Sequence, residues 1–288
     1  MKDIKTDPLN TILVISKGRP DNYTGNYLKD IGYQYWAVVI EDDEEFKFEY
    51  YANFGENHVL EFNLRKYQDF DTYDIYGTSL PTGASPVRNA CINMAKELGL
   101  ERFWNADDDI SCFQVFKNTH VKKKVFNGEE LYDYLNCYSK LAKTINAESV
   151  SPSNDSFIVR DKTFLGKQMF SGSHFLNLPA NTKFKFENRG YDDVVHFFNI
   201  HRHGGIVLLF RNILVSLKDP PKDLKKNSGA GNLRKTYTKD IMCTALLLAN
   251  PHSRLTLIPR KHSKHGQRLN NMLKIRKIRS QILNSKYG

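Results

Sequence analysis

Three consecutive aspartates, Asp107, Asp108 and Asp109, are the strongest chemical signal in the sequence. They follow residues 102–106, a short apolar segment typical of a buried strand. Neighbouring carboxylates repel one another and need water, hydrogen-bond donors or a cation to offset that repulsion. A divalent Mn²⁺ or Mg²⁺ ion meets the need, because it prefers carboxylate oxygens and keeps coordination positions for phosphates. Asp107 and Asp109, on one side of an extended chain, are the predicted metal ligands, and a plain turn with a helix cap is the alternative.

Polar side chains also follow the first two predicted strands. Residues 11–16 end in Ser16 and lead to Lys17 and Arg19, which are donors suited to a nucleotide phosphate or a base edge. Residues 35–40 lead to Glu41, which can accept from a ribose hydroxyl or a base NH. Ligands of open parallel sheets bind outside the carboxyl ends of the strands. These four side chains therefore predict a nucleotide site, although each is also explained as a loop residue or a surface ion pair.

Two predicted helices and one turn carry further candidates. Arg88 and Asn89 lie in the first turn of a helix predicted after Ser85-Pro86, where they can contact a diphosphate. Asp192 and Asp193 lie in the first turn of a helix predicted over residues 190–201, where a helix start alone also explains them. The turn at Ser171 and Gly172 is a candidate lining of the sugar or acceptor pocket.

The elements that must position these residues predict an α/β fold. The order of strand, crossover and strand in residues 11–40 indicates a βαβ unit and a mostly parallel central sheet flanked by helices. We expect a catalytic core over residues 1–217, a Lys- and Gly-rich loop over 218–235 and a basic helical region over 236–288. The last region holds predicted helices near residues 233–249 and 267–283.

The excess positive charge is confined to the C-terminal region. The net charge is +10, and residues 241–288 carry ten Lys or Arg and no acidic residue, so the preceding 240 residues are neutral. A segment whose charges are all positive attracts a polyanion. Nucleic acid is the first candidate partner, and an anionic membrane surface is the second. A solvated basic helix without a partner is the alternative. The predicted nucleic-acid-binding residues are Lys225, Lys226, Arg234, Arg260, Lys261, Lys264, Arg268, Lys274, Arg276, Lys277 and Arg279.

Several function classes are excluded by missing patterns. No apolar run approaches the ~20 residues of a membrane span, and the first ten residues lack the apolar stretch of a secretory signal, so we expect a cytoplasmic protein. The four cysteines lack the spacing of a zinc ribbon or a disulfide scaffold. The sequence contains neither GxGxxG nor the phosphate-binding loop of ATPases.

The sequence resembles glycosyltransferases of the GT-A fold in four segments: ISKGRP, VVIEDDE, GASPVRNACINMAKELGLERFWNADDDI and GYDD. The order of these segments is most similar to the TET-associated glycosyltransferases, bacteriophage-type enzymes proposed to place sugars on hydroxymethylated pyrimidines in DNA. The resemblance covers residues 11–217 and implies a UDP-sugar donor, double-stranded DNA as acceptor and a location in the host cytoplasm.

The same resemblance implies roles for individual residues. Asp107 and Asp109 would hold the metal on the donor diphosphate, with Asp108 reaching the sugar. The catalytic base would be Asp192 or Asp193. A late histidine often completes the metal site of such enzymes, and His252, His262 and His265 are the candidates, with His252 first.

Three other activities compete with this interpretation. A GT-A enzyme acting on a glycan or lipid-linked acceptor would rest its basic C-terminal region on an anionic membrane. A non-catalytic nucleic-acid-binding protein would use the three aspartates structurally. A nucleotidyltransferase would also hold a metal through carboxylates at the edge of a sheet.

Overall fold

The computed structural model describes residues 4–70, 83–118, 121–154, 174–187, 192–218, 255–258 and 268–271. The strands are β1 (Ile12–Ile15), β2 (Trp36–Glu41), β3 (Val59–Phe62), β4 (Arg102–Asp107), β5 (Ile110–Asn118), β6 (Val121–Lys124), β7 (Ala147–Asn154), β8 (Phe175–Pro179), β9 (Ile206–Leu217), β10 (Leu255–Ile258) and β11 (Arg268–Asn271). The α-helices are α1 (Tyr23–Asp30), α2 (Lys47–Phe54), α3 (Ser85–Glu97), α4 (Gly128–Thr144) and α5 (Asp192–Arg202). Short 3₁₀ helices cover Glu56–His58 and Leu64–Phe70.

Within the described residues, nine strands form one sheet in the order β3-β2-β1-β4-β8-β7-β9-β5-β6. The strand pairings make seven of these nine run in one direction, while β8 and β5 run the opposite way. This arrangement confirms the predicted α/β class and the mostly parallel central sheet.

Helices cover both faces of the sheet. All four residues of β1 are buried, as expected of a central strand packed on both sides. On one face, Leu28 of α1 and Leu131 of α4 belong to one apolar cluster. On the other face, Ala90 of α3 and Phe197 of α5 belong to a second cluster. The sheet therefore separates two cores.

Helix α1 contacts strands that lie far apart in the order of the sheet. It packs against β2 and also against β5, where the rings of Tyr27 and Phe113 are 5.9 Å apart. Since β2 and β5 lie near opposite ends of the sheet, the sheet must curve around this helix.

The predicted helices of the core follow from local signals. Helix α4 begins at Gly128, because the Asn127 side chain accepts a hydrogen bond from Glu129 N and so caps its first turn. Helix α3 begins next to Pro86 and is followed by Gly99, whose φ of 70° is readily adopted by glycine.

One expectation differs from the structure, and two others fall outside the described residues. The helix predicted near residues 267–283 is wrong over Arg268–Asn271, which form β11 and pair antiparallel with β10. Thr256 and the alternating Leu255 and Leu257 favour a strand there, and Leu269 lies opposite Leu257. The helix predicted near 233–249 and the loop over 219–235 lie outside the described residues, apart from Lys218 at the start of that loop. No helix in the described part of the chain has the length and apolarity to cross a membrane.

One edge of the sheet collects the polar candidates. Strands β1, β2 and β4 are parallel neighbours, so their carboxyl ends lie side by side. Strand β8 runs antiparallel to β4 and therefore begins at the same edge. This topology brings Ser16, Glu41, Asp107 and His174 to that edge.

Candidate active site

Two carboxylates and one imidazole form a cluster at this edge. Potential ligand atoms of Asp107, Asp109 and His174 lie within 4.8 Å of one another. The Nδ1 atom of His174 is 2.8 Å from Asp107 Oδ2 and 4.0 Å from Asp109 Oδ1. Asp109 Oδ1 is buried and accepts no hydrogen bond in the described structure. A divalent cation would satisfy this oxygen, and two carboxylates with one imidazole suit Mg²⁺ or Mn²⁺.

The local backbone explains how the cluster forms. Asp107 ends β4, and His174 directly precedes the antiparallel strand β8, with Asp107 N donating to His174 O at 2.8 Å. The buried Thr24 of α1 donates through Oγ1 to Asp107 O at 2.6 Å and accepts from Ile110 N at 2.9 Å. One threonine thus joins both sides of the turn that carries the aspartates.

Arg88 lies behind the cluster and joins it to α5. Its guanidinium donates to Asn105 Oδ1 and, at 2.7 Å, to Asp107 Oδ1. Its Nε atom forms an ion pair with Asp192 Oδ2 at 3.3 Å. Burial would raise the pKa of Asp107, but the charges of Arg88 and His174 outweigh it and hold that pKa below its usual range. Arg88 therefore keeps Asp107 ionised and fixes its orientation.

Asp108 points away from the metal ligands. Its Oδ2 accepts from Ser16 Oγ at 2.9 Å, and its Oδ1 pairs with Arg19 at 2.8 Å. Burial raises the pKa of Asp108 to about 7. Both carboxylate oxygens of Asp108 are engaged by the loop after β1, and its contact with the sugar stays a prediction. Asp108 positions Ser16 and Arg19.

The predicted nucleotide residues gather after β1 and β2. Lys17 Nζ lies 2.7 and 2.6 Å from the two carboxylate oxygens of Glu41. Lys17 is 42% exposed, so this pair faces solvent. Arg19 has a buried Nε that finds no hydrogen-bond acceptor among the described residues. The loop thus presents an ion pair and an unused donor to a ligand.

Asn89 bonds to the backbone of the segment before α5, and its contact with a diphosphate stays a prediction. Its Nδ2 donates to Phe186 O at 2.9 Å, and its Oδ1 accepts from Phe186 N at 2.8 Å. The buried amide thus pairs with both backbone groups of one residue, much as a neighbouring strand would. Asn89 anchors the segment before α5 against α3.

Asp192 and Asp193 begin α5, and the first of them lies against Arg88. Burial raises the pKa of Asp192 to about 6, against the opposing charge of Arg88. The Oδ2 of Asp192 is buried and accepts no hydrogen bond in the described ranges, despite its ion pair. Such an oxygen can accept a proton from a hydroxyl group.

His174 is a candidate metal ligand that the sequence alone does not reveal. The resemblance to GT-A enzymes directs attention to His252, His262 and His265 instead. His174 directly precedes the apolar run of β8, and that position signals its role only once β8 is known to run antiparallel to β4.

Other candidates cannot be placed at the site. His252, His262, His265, Ser171 and Gly172 lie outside the described residues, as do most of the predicted nucleic-acid-binding residues. Arg268 lies in β11. The remaining ones, all outside the described residues, are Lys225, Lys226, Arg234, Arg260, Lys261, Lys264, Lys274, Arg276, Lys277 and Arg279.

Comparison with known proteins gives one informative match. The model of a family described as TET-associated glycosyltransferase matches residues 10–222. No curated protein matches the sequence. Among solved structures, the chain is similar to mannose-1-phosphate geranyltransferase from Thermus thermophilus, with 10% identity and a TM-score of 0.29. That match covers 84% of this chain and 64% of the other, and a TM-score this low supports no argument about function.

Proposed function

The chain belongs to the TET-associated glycosyltransferase family, and on that premise we propose a metal-dependent transfer of sugar from a UDP-sugar to hydroxymethylated pyrimidines in DNA. The observation that carries the proposal is the cluster of Asp107, Asp109 and His174 at the carboxyl edge of the parallel strands. Two carboxylates and one imidazole at the carboxyl ends of parallel strands suit a metal ion that binds a nucleoside diphosphate.

Asp107, Asp109 and His174 are the residues that would hold Mn²⁺ or Mg²⁺. The bound ion would neutralise charge on the departing nucleoside diphosphate. The buried oxygen of Asp109 supports this assignment, since an unpaired buried carboxylate oxygen is costly without a cation or a donor.

The loop after β1 would bind the nucleotide. Among the described residues Arg19 Nε has no hydrogen-bond acceptor, and this group suits a phosphate or base oxygen. The ion pair of Lys17 and Glu41 offers a cation for phosphate and a carboxylate for a ribose hydroxyl or base NH. Asp108 keeps Arg19 in place through an ion pair at 2.8 Å. These contacts support a donor site next to the metal ligands.

Asp192 is the proposed general base. The acceptor hydroxyl attacks the anomeric carbon, its proton passes to the carboxylate, and the bond to the nucleoside diphosphate breaks. The raised pKa of about 6 leaves Asp192 ionised at neutral pH, so its carboxylate can take the proton. Asp193 is the alternative base in the same turn.

The variants Asp192→Asn and Asp193→Asn distinguish the two candidates. Only the variant that removes the base is expected to lower kcat by about 10²-fold or more.

The DNA acceptor is supported by charge as well as by the family. All of the +10 net charge resides in residues 241–288, which suit the DNA backbone. The competing proposal is that the same sugar transfer uses a glycan or a lipid-linked molecule as the acceptor.

The test is a panel of UDP-sugars with Mn²⁺ and DNA that contains either cytosine or 5-hydroxymethylcytosine. Released UDP and the mass of the digested nucleosides are measured together. We expect a mass gain of one sugar on the hydroxymethylated base only. UDP release that does not depend on DNA would move the acceptor to a glycan or lipid, and no release with any UDP-sugar would contradict the proposed donor.

A further inference from the structure

Two lysines with aromatic partners lie at the ends of strands that run toward the edge of the sheet with the metal ligands. Lys124 is the last residue of β6, and Lys218 directly follows β9. Both strands run in the direction of β1, so both lysines lie at the carboxyl ends of strands. The backbone N of Lys218 donates to Asp109 O at 2.9 Å, which places this lysine beside the metal cluster.

Both ammonium groups lie over rings of α1. Lys218 Nζ is 4.6 Å from the ring centre of Tyr23, and Lys124 Nζ is 5.8 Å from that of Tyr27. Tyr23 and Tyr27 are one helical turn apart, which is about 6 Å along the axis. Lys124 is also 5.2 Å from the ring of Phe126, a side chain that is 66% exposed. One cation thus lies over the half-buried ring of Tyr23 and the other over the buried ring of Tyr27, and Phe126 adds an exposed ring.

These two lysines are not neutralised by the described part of the protein. No carboxylate of the described residues lies within 4.0 Å of either ammonium group, whereas the neighbouring Lys123 pairs with Glu130 at 3.1 Å. Both lysines are exposed. A row of unpaired cations beside exposed aromatic surface is the chemistry that binds a nucleic-acid backbone.

We propose that Lys218, Lys124 and Phe126 form an acceptor track, a surface that guides the DNA strand to the metal cluster, with the two lysines contacting phosphates. The inference rests on the proposed function, since it assigns the acceptor of the same site to a surface of the described core. It is separate from the basic residues of the C-terminal region.

The test measures binding of a short fluorescein-labelled duplex by anisotropy over a series of salt concentrations. The double variant Lys124→Gln/Lys218→Gln is compared with the full-length wild-type protein. Each lost phosphate contact reduces the slope of log affinity against log salt by about 0.9, so the double variant should lose about 2 units of slope. Affinity at low salt should fall with it.

The matched control is Lys5→Gln/Lys183→Gln. These exposed lysines also lie over rings, at 5.3 Å from Tyr35 and 5.3 Å from Phe184. They lie near the amino end of β2 and beyond the carboxyl end of the antiparallel β8, at the opposite edge of the sheet. The control is expected to keep the wild-type slope. Equal thermal unfolding of all three proteins would show that the substitutions leave the fold intact.

The proposal is overturned if the double variant keeps the wild-type slope, if the control loses as much, or if the wild type does not bind the duplex. Failure of the proposed function gives a different result. In that case no sugar reaches the DNA, while the loss of slope in Lys124→Gln/Lys218→Gln persists.

Discussion

A single guanidinium joins the two acidic parts of the candidate site. Arg88 contacts Asp107 of the metal cluster and Asp192 of α5, and it is 4% exposed. A buried cation between two carboxylates stabilises both of them, and its loss leaves charges without compensation. Arg88 is therefore a positioning residue, although its sequence position suggests direct contact with phosphate.

We expect Arg88→Ala to lower the free energy of unfolding by about 3–5 kcal/mol, because two buried carboxylates lose their partner. Arg88→Lys keeps the charge but cannot reach both carboxylates, so it should restore part of the stability while kcat stays low. Urea unfolding and steady-state kinetics measure the two effects. Wild-type kcat in Arg88→Lys would contradict the positioning role.

His196 links stability to pH. Its ring is fully buried and stacks on Phe186 with centres 4.0 Å apart, and burial lowers its pKa to about 4. In the unfolded chain the pKa is about 6.5. Between these values the unfolded state binds the extra proton, so stability falls as the pH drops from about 6.5 to about 4 and then stays level.

The expected loss is at most about 3 kcal/mol over that interval. The variant His196→Gln binds no proton and should lack this part of the pH dependence. Urea unfolding of both proteins at several pH values gives the difference. Parallel curves for wild type and variant would show that His196 is not held neutral in the fold.

The candidate residues differ in how far the sequence predicts them. Asp107 and Asp109 are predictable because repulsion between neighbouring carboxylates is a local property. His174 is not, because its approach to Asp109 depends on the pairing of two strands that are about 70 residues apart in sequence. The backbone partner of Asn89 is hidden for the same reason, since Phe186 lies 97 residues further along the chain.

At the scale of elements, α1 holds the aspartate turn. Its first two backbone N atoms, those of Tyr23 and Thr24, donate to Asp108 O at 3.1 and 3.4 Å. The Thr24 hydroxyl donates a hydrogen bond to Asp107 O and accepts one from Ile110 N. The end of β4 and the start of β5 are therefore fixed by one helix start.

We expect Thr24→Val to lower the free energy of unfolding by about 1–3 kcal/mol, because a side chain of similar shape leaves two buried backbone groups unpaired. The control Thr24→Ser keeps the hydroxyl and should lose less. Metal affinity, measured by calorimetric titration of Mn²⁺, should fall in Thr24→Val as the turn loosens. Equal stability of the valine and serine variants would contradict the role of the hydroxyl.

Elements with local signals are predictable, and elements with distant partners are not. Strands β1 and β2 follow from short β-branched apolar runs, and α4 follows from its cap and helical spacing. The hairpin of β5 and β6 is not predicted, because β5 pairs with β9 about 100 residues later. The strand at Arg268–Asn271 lies in a segment whose apolar spacing also suits a helix.

At the scale of the whole molecule, the residues proposed to bind the nucleotide and those proposed to bind DNA lie in different parts of the chain. The parallel half, β3-β2-β1-β4, carries the residues proposed to bind the nucleotide. Strand β9 leads to Lys218 beside the same cluster, and β6, which runs in the same direction, ends at Lys124 further back along β5. The neutral first 240 residues and the basic remainder suit a catalytic core with an appended polyanion-binding region. Under the proposed function, donor and acceptor would approach the Asp107, Asp109 and His174 cluster from different parts of the sheet.

The most direct test of the account measures the rate of sugar transfer by wild type, Asp109→Asn and Asp133→Asn, with and without a chelator. The pair of UDP-sugar and hydroxymethylated DNA that gives product in the panel is used. Asp133 is exposed on α4 and serves as the matched control. We expect chelation of the wild type and the Asp109→Asn change each to lower the rate by about 10³-fold, equal to about 4 kcal/mol, with Asp133→Asn unchanged. Transfer that resists the chelator, or full activity of Asp109→Asn, would contradict the account.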